Sequence, residues 1–536
     1  MRYLLIWLML VGVGFGGLYG SGSGSGDASA SDISDAIDGN DDYIHNFTVT
    51  VAANDSAAWH KNQADFVCDG TADDVQIQAA IDKVLSDCSK GGVVLLLPGT
   101  FYCSSEITLR TMVSLTGIPN SNIQNTVVQW VSGSNCDGLV YVADDSEGEA
   151  LRPSVEKRGQ FTVANLKLDS NNDGNYWVIN ITSDNAATDY IYDCMFERIY
   201  CEGGGDSADN SHGSMYIERC WSTRIVDCLW ENSKGYGLYL GNANQPRIER
   251  CYSSHNLGDG YFLQGSSIQM MQSCGADCGD ASTNSNGIVI NGTQHAQLVN
   301  CLAIANYGSG YRINGSSYSS LTNCTAKTNA INATWSLAGF QCSGSNNIGL
   351  TFNNCIAYDN GGFGWFIATD YTRLLGCSLQ DNTSGIRLQN THTGTYLDCI
   401  MDNSGTEYSI ESPGESPMFA LHGFQETVSA ASFNIEASYN GRVYIADCSS
   451  NNVNGNLPAA IVGLEYTFNV TDGTNDLILE PDGTDTIKLA NGTKTDVAGD
   501  YITNGTANAA DDGCRLKCVI AGVWEHYDSR GTWTEE

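Results

Sequence analysis

Along the middle of the chain the apolar positions fall into one short phrase that repeats. An apolar residue is followed three positions on by Cys, then by Asn four or five further on, then by Gly and an apolar-x-apolar triplet. Ile225 to Cys228 leads to Asn232 and Gly237-Leu238-Tyr239-Leu240, and Ile248 to Cys251 leads to Asn256 and Gly260-Tyr261-Phe262-Leu263. Leu298 to Cys301, Leu321 to Cys324, Phe352 to Cys355, Leu374 to Cys377 and Tyr396 to Cys399 open in the same way. From Cys228 to Cys399, with Cys274 taken as the third member, the steps are 23, 23, 27, 23, 31, 22 and 22 residues. A period in the low twenties with strand-like alternation marks a solenoid in which each repeat is one coil.

Alternation within the Gly-led strands sends Met215/Ile217, Leu238/Leu240, Tyr261/Leu263, Ile288/Ile290, Tyr311/Ile313, Phe340/Cys342, Trp365/Ile367 and Ile386/Leu388 inward. The residues between them then form an outward column of Tyr216, Tyr239, Phe262, Val289, Arg312, Gln341, Phe366, Arg387 and Ser409. Successive coils stack such equivalent residues about 4.8 Å apart. The recurrent Asn is expected at a turn, where its amide bonds neighbouring backbone and the residue itself tolerates a left-handed conformation.

Upstream the period changes. Thr71-Ala72-Asp73-Asp74 offers helix N-cap chemistry, and Val75, Ile77, Ala80, Ile81 and Val84 give a helical apolar stripe that Gly91-Gly92 ends. Val93 to Leu97 reads as a buried strand, and a rhythm of short strands starts at Ile107 and Val113. A helix just ahead of a β-solenoid covers the open apolar end of the first coil. The expected layout is a signal peptide or anchor over 1–20, a flexible Gly/Ser linker over 21–42, and a solenoid over 43–412 whose cap spans 66–117. A linker follows over 411–425, then a β-sandwich-like domain over 426–536 with turns at Asp472-Gly473 and Asp482-Gly483.

Phe66-Val67-Cys68-Asp69-Gly70-Thr71-Ala72-Asp73-Asp74, continuing through Ile77-Gln78-Ala79-Ala80-Ile81-Asp82 and Leu97-Pro98-Gly99-Thr100-Phe101-Tyr102, resembles the amino-terminal cap of the pectate-lyase-like superfamily. The resemblance implies an all-β chain built as a right-handed parallel β-helix over roughly residues 60–410. Polysaccharide lyases, glycoside hydrolases, uronan epimerases and viral tailspikes share that fold. Gly463 to Phe468, Asp482 to Ile487, Gly522-Val523-Trp524 and Gly531-Thr532-Trp533 resemble small β domains of phage tail and surface proteins, which implies attachment or assembly. The superfamily's hydrolase motifs (Asn-Thr-Asp, Asp-Asp and Gly-His-Gly on successive coils) are missing from the coils, and Ser211-His212-Gly213 is only a partial echo of the last. The lyase Arg motif and the epimerase Asp-Pro-His are missing too.

Composition narrows the partners. Of 536 residues 16% are charged, with 59 Gly and 8 Pro, which suits a turn-rich all-β protein. A net charge of −36 argues against nucleic acid, because phosphate binding needs clustered Lys and Arg. It suits capture of Ca²⁺ by exposed carboxylates, the one cofactor the sequence brings into view. A polyanionic sugar would need a local basic site. Met1-Arg2 and the apolar run to about Val13 point to export and an extracellular or cell-surface location. Eleven Asn-x-Ser/Thr sequons, among them Asn382 and Asn504, are compatible with a secreted glycoprotein.

Three features carry candidate chemistry. The Cys ladder reads first as a column of buried thiols, with some disulfides between coils, or a metal or redox array, as the alternatives. Cys68, Cys88, Cys103, Cys136, Cys201, Cys220, Cys278, Cys514 and Cys518 lie off it and are the ones expected to pair in an oxidising compartment. The outward column offers Tyr216, Tyr239, Phe262 and Phe366 for stacking against sugar rings and Arg312 and Arg387 for carboxylates. The competing reading packs this stripe under a loop or a neighbouring subunit. The insertion from Glu202 to Gly213 places Asp206, Asp209 and His212 beside the stripe as candidate acid, base or Ca²⁺-binding groups, against the plain alternative of a solvated acidic loop. The expected function is an exported surface protein that binds polysaccharide, with cleavage by lyase or hydrolase chemistry left open. The alternative is a structural or adhesive subunit forming a trimer, filament, sheath or spike.

Overall fold

The computed structural model describes residues 47–535 except 89–90, 119–122, 144–157, 172–175, 184–189, 206–211, 281, 332–336, 345–346, 370, 390–395, 403–405, 412–417, 420–424, 429–431, 436–442, 450–451, 473–474, 490–500, 505–512 and 531. The expected leader and tether over 1–42, the acidic pair Asp206 and Asp209, and most of the 411–425 linker lie outside the described residues. Among the described residues no helix is long and apolar enough to cross a membrane.

Each coil contributes one longer strand to a 15-stranded parallel sheet and two short strands to a 23-stranded one, counted over the described residues. The coil from Tyr236–Asn244 continues through Arg247–Glu249 to Tyr252–Ser254. Three single residues with positive φ turn the chain. In the coil of Cys228 they are Ser222, Asp227 and Asn232, with φ of 56°, 55° and 59°. The next residues, Thr223, Cys228 and Ser233, are buried. Left-handed geometry is cheapest for Gly, Asn and Asp, which explains Asn300, Asn323, Asn354, Asp359 and Asp381 at equivalent bends.

All sixteen side chains assigned inward by alternation are at most 1% exposed. They join one continuous core with the ladder thiols. Tyr311, Phe340 and Trp365 stack along its axis with ring centroids 4.8 and 4.6 Å apart. The outward column also follows the expected register from Tyr216 to Ser409, one residue per coil.

Two details of the repeat differ from expectation. Cys274 is not on the ladder: it pairs opposite Tyr252, and Ser273 holds the ladder place and accepts from the Cys251 amide at 3.2 Å. The recurrent Asn, after the first, is not the left-handed residue but the one following it, and it points inward. Asn306, Asn329, Asn360 and Asn382 are buried and bonded amide to amide, each Nδ2 also reaching a strand carbonyl. A Cβ on Gly287, Gly310 or Gly339 would come within 2.6–2.8 Å of the amide nitrogens of Asn306, Asn329 and Asn360. The strand glycine therefore makes room for the asparagine ladder, and the two motif positions are one device. Asn382 and Asn504, both sequon asparagines, are 2% and 1% exposed and hydrogen-bonded, so neither is open to a glycan in the fold.

The helix Asp74–Asp87 covers the first coil with Ile77, Ala80, Ile81 and Val84, while Val75 stands exposed. Asp73 occupies the N-cap position without capping the helix through its side chain. Its carboxylate instead accepts from the amides of Gly70 and Tyr102, Asp74 accepts from the Ser104 amide, and Gln78 bonds both backbone groups of Thr108. The cap thus satisfies strand edges as well as covering apolar surface.

All twenty cysteines are free thiols, including those expected to pair, and only Cys88 and Cys136 are not fully buried. Ladder thiols donate to carbonyls of the preceding coil, as Cys251 does to Ile225 at 3.5 Å and Cys355 to Leu321 at 3.4 Å. Burial pushes thiols such as Cys220 and Cys274 up to about 12, which removes the nucleophilic thiolate at neutral pH. A disulfide-exchange reagent applied to the folded chain is therefore expected to titrate Cys88 and Cys136 alone, and the remaining eighteen only in denaturant. Rapid reaction of a ladder thiol in the native protein would contradict this packing.

The solenoid runs past its expected end at 412: Met418–Phe419 still pairs with the coil strand Tyr396–Asp402. The carboxy-terminal domain has two sheets around its own core of Tyr444, Tyr466, Phe468, Leu477, Leu516 and Trp524 among others. Its first strands alternate between the sheets and pair in parallel, Gln425–Val428 with Val443–Asp447 and then Glu465–Asp472. The antiparallel pairs a sandwich would show throughout come with the later strands: Gly513–Ile520 pairs with Glu465–Asp472 and Val523–Arg530, and Ile502–Thr503 with Leu477–Glu480 and Thr534–Glu535.

Candidate functional site

The outward column is not uniform along the solenoid. At its amino-terminal end, strands Gly213–Glu218, Tyr236–Asn244 and Tyr261–Ser266 set Tyr216, Tyr239 and Phe262 side by side. Tyr216 and Tyr239 have ring centroids 5.1 Å apart, and Tyr239 and Phe262 stack at 4.6 Å with planes 10° from parallel. Two rings not singled out from the sequence complete the platform. Trp177 lies 5.1 Å from Tyr216, and Tyr236 lies 5.3 Å from Tyr239 and 5.8 Å from Phe262. The Trp177 amide is pinned by Asp137 Oδ1 at 2.8 Å. Tyr236 directly precedes a motif glycine, and that position was a readable signal: three residues before an outward strand residue and next to a residue without a side chain.

His212 closes the upstream edge, its ring 6.0 Å from Trp177 and 5.7 Å from Tyr176. It reaches the platform as the end of the insertion whose Asp206 and Asp209 are not described. The Tyr216 hydroxyl donates to Glu218 Oε2 at 2.9 Å, and burial followed by that carboxylate pushes the phenol well up. Burial, then Asp259 and Tyr239, pushes Tyr236 up to about 12. The tyrosines therefore present neutral, half-buried faces with one polar edge, the combination that suits a sugar ring.

Beyond Phe262 the column passes through buried Val289 to exposed Arg312, two coil steps or about 10 Å away. Asp259 stands near this end and accepts from the Asn286 amide at 2.7 Å and Nδ2 at 2.9 Å. Burial raises its carboxyl above the ordinary range, against those bonds and against the charge of Arg312. A carboxyl more protonated in the folded than in the unfolded chain loses stability as pH rises from its unfolded value through its folded one. Asp259→Asn keeps an oxygen for Asn286 and removes that loss. Its melting temperature relative to the parent is expected to rise as pH is taken from about 3 to 8. Parallel curves would show that Asp259 titrates normally.

Further along, the column closes. Gln341, Phe366 and Arg387 are 8%, 4% and 8% exposed. The Arg387 guanidinium lies 5.4 and 5.5 Å from the ring centres of Phe363 and Phe366, a cation–π arrangement internal to the chain. Phe366 and Arg387 share the column with the open platform but present little surface to a ligand. Among the described residues no three His, Cys, Asp or Glu side chains converge as a metal-ligand set.

The family described as right handed beta helix region matches residues 154–326. No curated protein matches the sequence. Among solved structures, the A-module of the mannuronan C-5 epimerase AlgE4 of Azotobacter vinelandii is similar at 17% identity and a TM-score of 0.49, over 66% of this chain and 97% of that one. Tailspike protein 3 of bacteriophage CBA120 is similar at 10% identity and a TM-score of 0.44, over 85% and 67%. A mutant DFA-IIIase of Arthrobacter chlorophenolicus A6, in complex with DFA-III, is similar at 11% identity and a TM-score of 0.41, over 67% and 86%. These likenesses concern the coil architecture alone. The chain is a right-handed parallel β-helix protein with a carboxy-terminal β domain.

Proposed function

We propose that the protein binds polysaccharide along the outward face of its 15-stranded sheet. The observation that carries this reading is the row of partly exposed rings Tyr216, Tyr236, Tyr239 and Phe262, backed by the buried ring of Trp177, on register-locked coils. Rings that fill the core are inward and fully buried, as Tyr311, Phe340 and Trp365 are. The partly exposed faces of Tyr216, Tyr239 and Phe262, repeating at the coil spacing with Tyr236 beside them, match a linear polymer of rings. Arg312 beyond the platform adds a charged donor for a carboxylate or hydroxyl of the same chain. Export to the cell surface belongs to this reading and rests on the apolar run after Met1-Arg2. The reading is tested on an array of neutral and acidic glycans, with the full chain and with its platform rings truncated. Retention of glycan by the truncated protein as strongly as by the parent would overturn it.

A further inference from the structure

A second feature lies across the bend that leads from the 15-stranded sheet into the 23-stranded one. There a groove of about 400 Å³ is lined by Arg224, Arg247, Gln245 and Gln269, with two serines and one carboxylate, Asp193. Arg224 and Arg247 are opposite each other in register on successive coils, so their side chains project in parallel from neighbouring strands. Both are exposed, and neither guanidinium has a carboxylate partner among the described residues. Elsewhere, arginines such as Arg250, Arg219 and Arg515 sit against Asp or Glu. In a chain of net charge −36, two such arginines on neighbouring coils concentrate positive charge over the groove.

The neighbourhood is consistent with a ligand made of rings that bear anions. Immediately before the bend, Tyr192 and Trp221 stack with centroids 6.0 Å apart and planes 22° from parallel, and Tyr190 meets Trp221 edge-on at 5.9 Å. Downstream, the arginine column continues through Gln269, Gln297, Ser320 and Thr351 to Arg373 without an acidic residue. The bend itself carries His295 and Tyr318 stacked at 5.5 Å, with Tyr318 61% exposed. Tyr318, with a φ of 51°, is the left-handed corner residue of its coil, as Gln245, Ser267 and His295 are of theirs. We propose that this bend is an acidic-glycan site, distinct from the aromatic face, in which Arg224 and Arg247 hold successive carboxylate or sulfate groups while Trp221 and Tyr192 contact the sugar rings. Guanidinium binds such planar or tetrahedral oxyanions bidentately, and amides of Gln245 and Gln269 suit the intervening hydroxyls. This is the local basic site that an overall acidic protein needs to accept a polyanionic sugar.

The test titrates the full chain with a uronic-acid oligomer, with the same oligomer after reduction of its carboxyls to alcohols, and with a sulfated neutral oligomer. Arg224→Gln/Arg247→Gln is expected to lose roughly tenfold or more in affinity for an anionic oligomer, and the parent's binding is expected to weaken as salt is added. Preference for the uronate or for the sulfated oligomer identifies the anion, and either supports the proposal. Tyr239→Ala, on the other face, is expected to leave the arginine-dependent component unchanged, which separates this site from the platform. Equal affinity of parent and double variant for both anionic oligomers would overturn it, as would binding of the reduced oligomer as strong as that of both anionic ones. Arg224→Lys/Arg247→Lys guards against a folding defect: it keeps the charge and is expected to bind anions with intermediate strength.

Discussion

Alanine at both Tyr239 and Phe262 is expected to abolish glycan retention while the coils stay folded. Aromatic anchors at the centre of a contact cost about 2 kcal/mol or more when truncated, some thirtyfold in Kd for each. Removing two of the four partly exposed rings should therefore lower affinity about a thousandfold if their effects add. The fold should hold because both rings lie outside the core: their loss forfeits a stacking term of ~0.5–1.5 kcal/mol and leaves no internal cavity. The informative control is Phe340→Ala. Phe340 stacks on Trp365 at 4.6 Å, the same spacing as Tyr239 on Phe262, but faces inward and is fully buried. Its truncation opens a cavity and should cost about 3–5 kcal/mol of stability, leaving the platform residues themselves untouched. Binding measured alongside thermal melts separates the two faces. The outer pair should change binding and barely move the melt, and the inner ring should do the reverse at temperatures where it remains folded.

The contrast between those two stacks shows what the sequence made legible. Period-2 alternation inside a coil is a local property, so the inward pairs and the outward column could be read residue by residue, and both follow the register. The same rule could not say how exposed an outward residue is. Tyr239 and Phe366 occupy equivalent places, yet Phe366 is buried against Arg387, because exposure depends on neighbouring side chains as well as on the strand. Trp177 escaped notice for a related reason: it precedes a strand and reaches the platform through its hydrogen bond to Asp137, a contact forty residues away in sequence. The groove at Arg224 and Arg247 was hidden differently. Its residues sit across a left-handed bend, where alternation is interrupted and facing cannot be counted. The cysteine ladder slipped at Cys274 because a serine, similar in size and able to accept the same amide, took the ladder position one residue earlier.

The largest loss of stability from a single polar change should come from Asn329→Ala. The Asn329 side chain is fully buried and makes four hydrogen bonds. Its Oδ1 accepts from the Asn306 amide at 3.2 Å and Nδ2 at 2.7 Å, and its Nδ2 donates to Ala303 O at 2.9 Å and Asn360 Oδ1 at 3.1 Å. Alanine fills none of these roles, and the glycine beside it, Gly310, offers no side chain to close the gap. Each buried group left unpaired costs ~1–3 kcal/mol, so about 4 kcal/mol is expected overall. Asn329→Asp should be worse at neutral pH than at pH about 4, since a buried carboxylate would face the acceptors Ala303 O and Asn360 Oδ1 and could relieve that only by taking up a proton. Asn323→Gly is the matched control: Asn323 is a left-handed bend residue whose side-chain bond to Asn300 lies at the surface. Its change should stay within about 0.5 kcal/mol. Because each coil bonds only to its neighbours, the damage should be local. Amide hydrogen exchange should accelerate between about residues 303 and 360 before it does so near the cap helix. A melt for Asn329→Ala within about 1 kcal/mol of the parent, or uniform acceleration along the whole solenoid, would mean that the ladder is not what joins the coils at this corner.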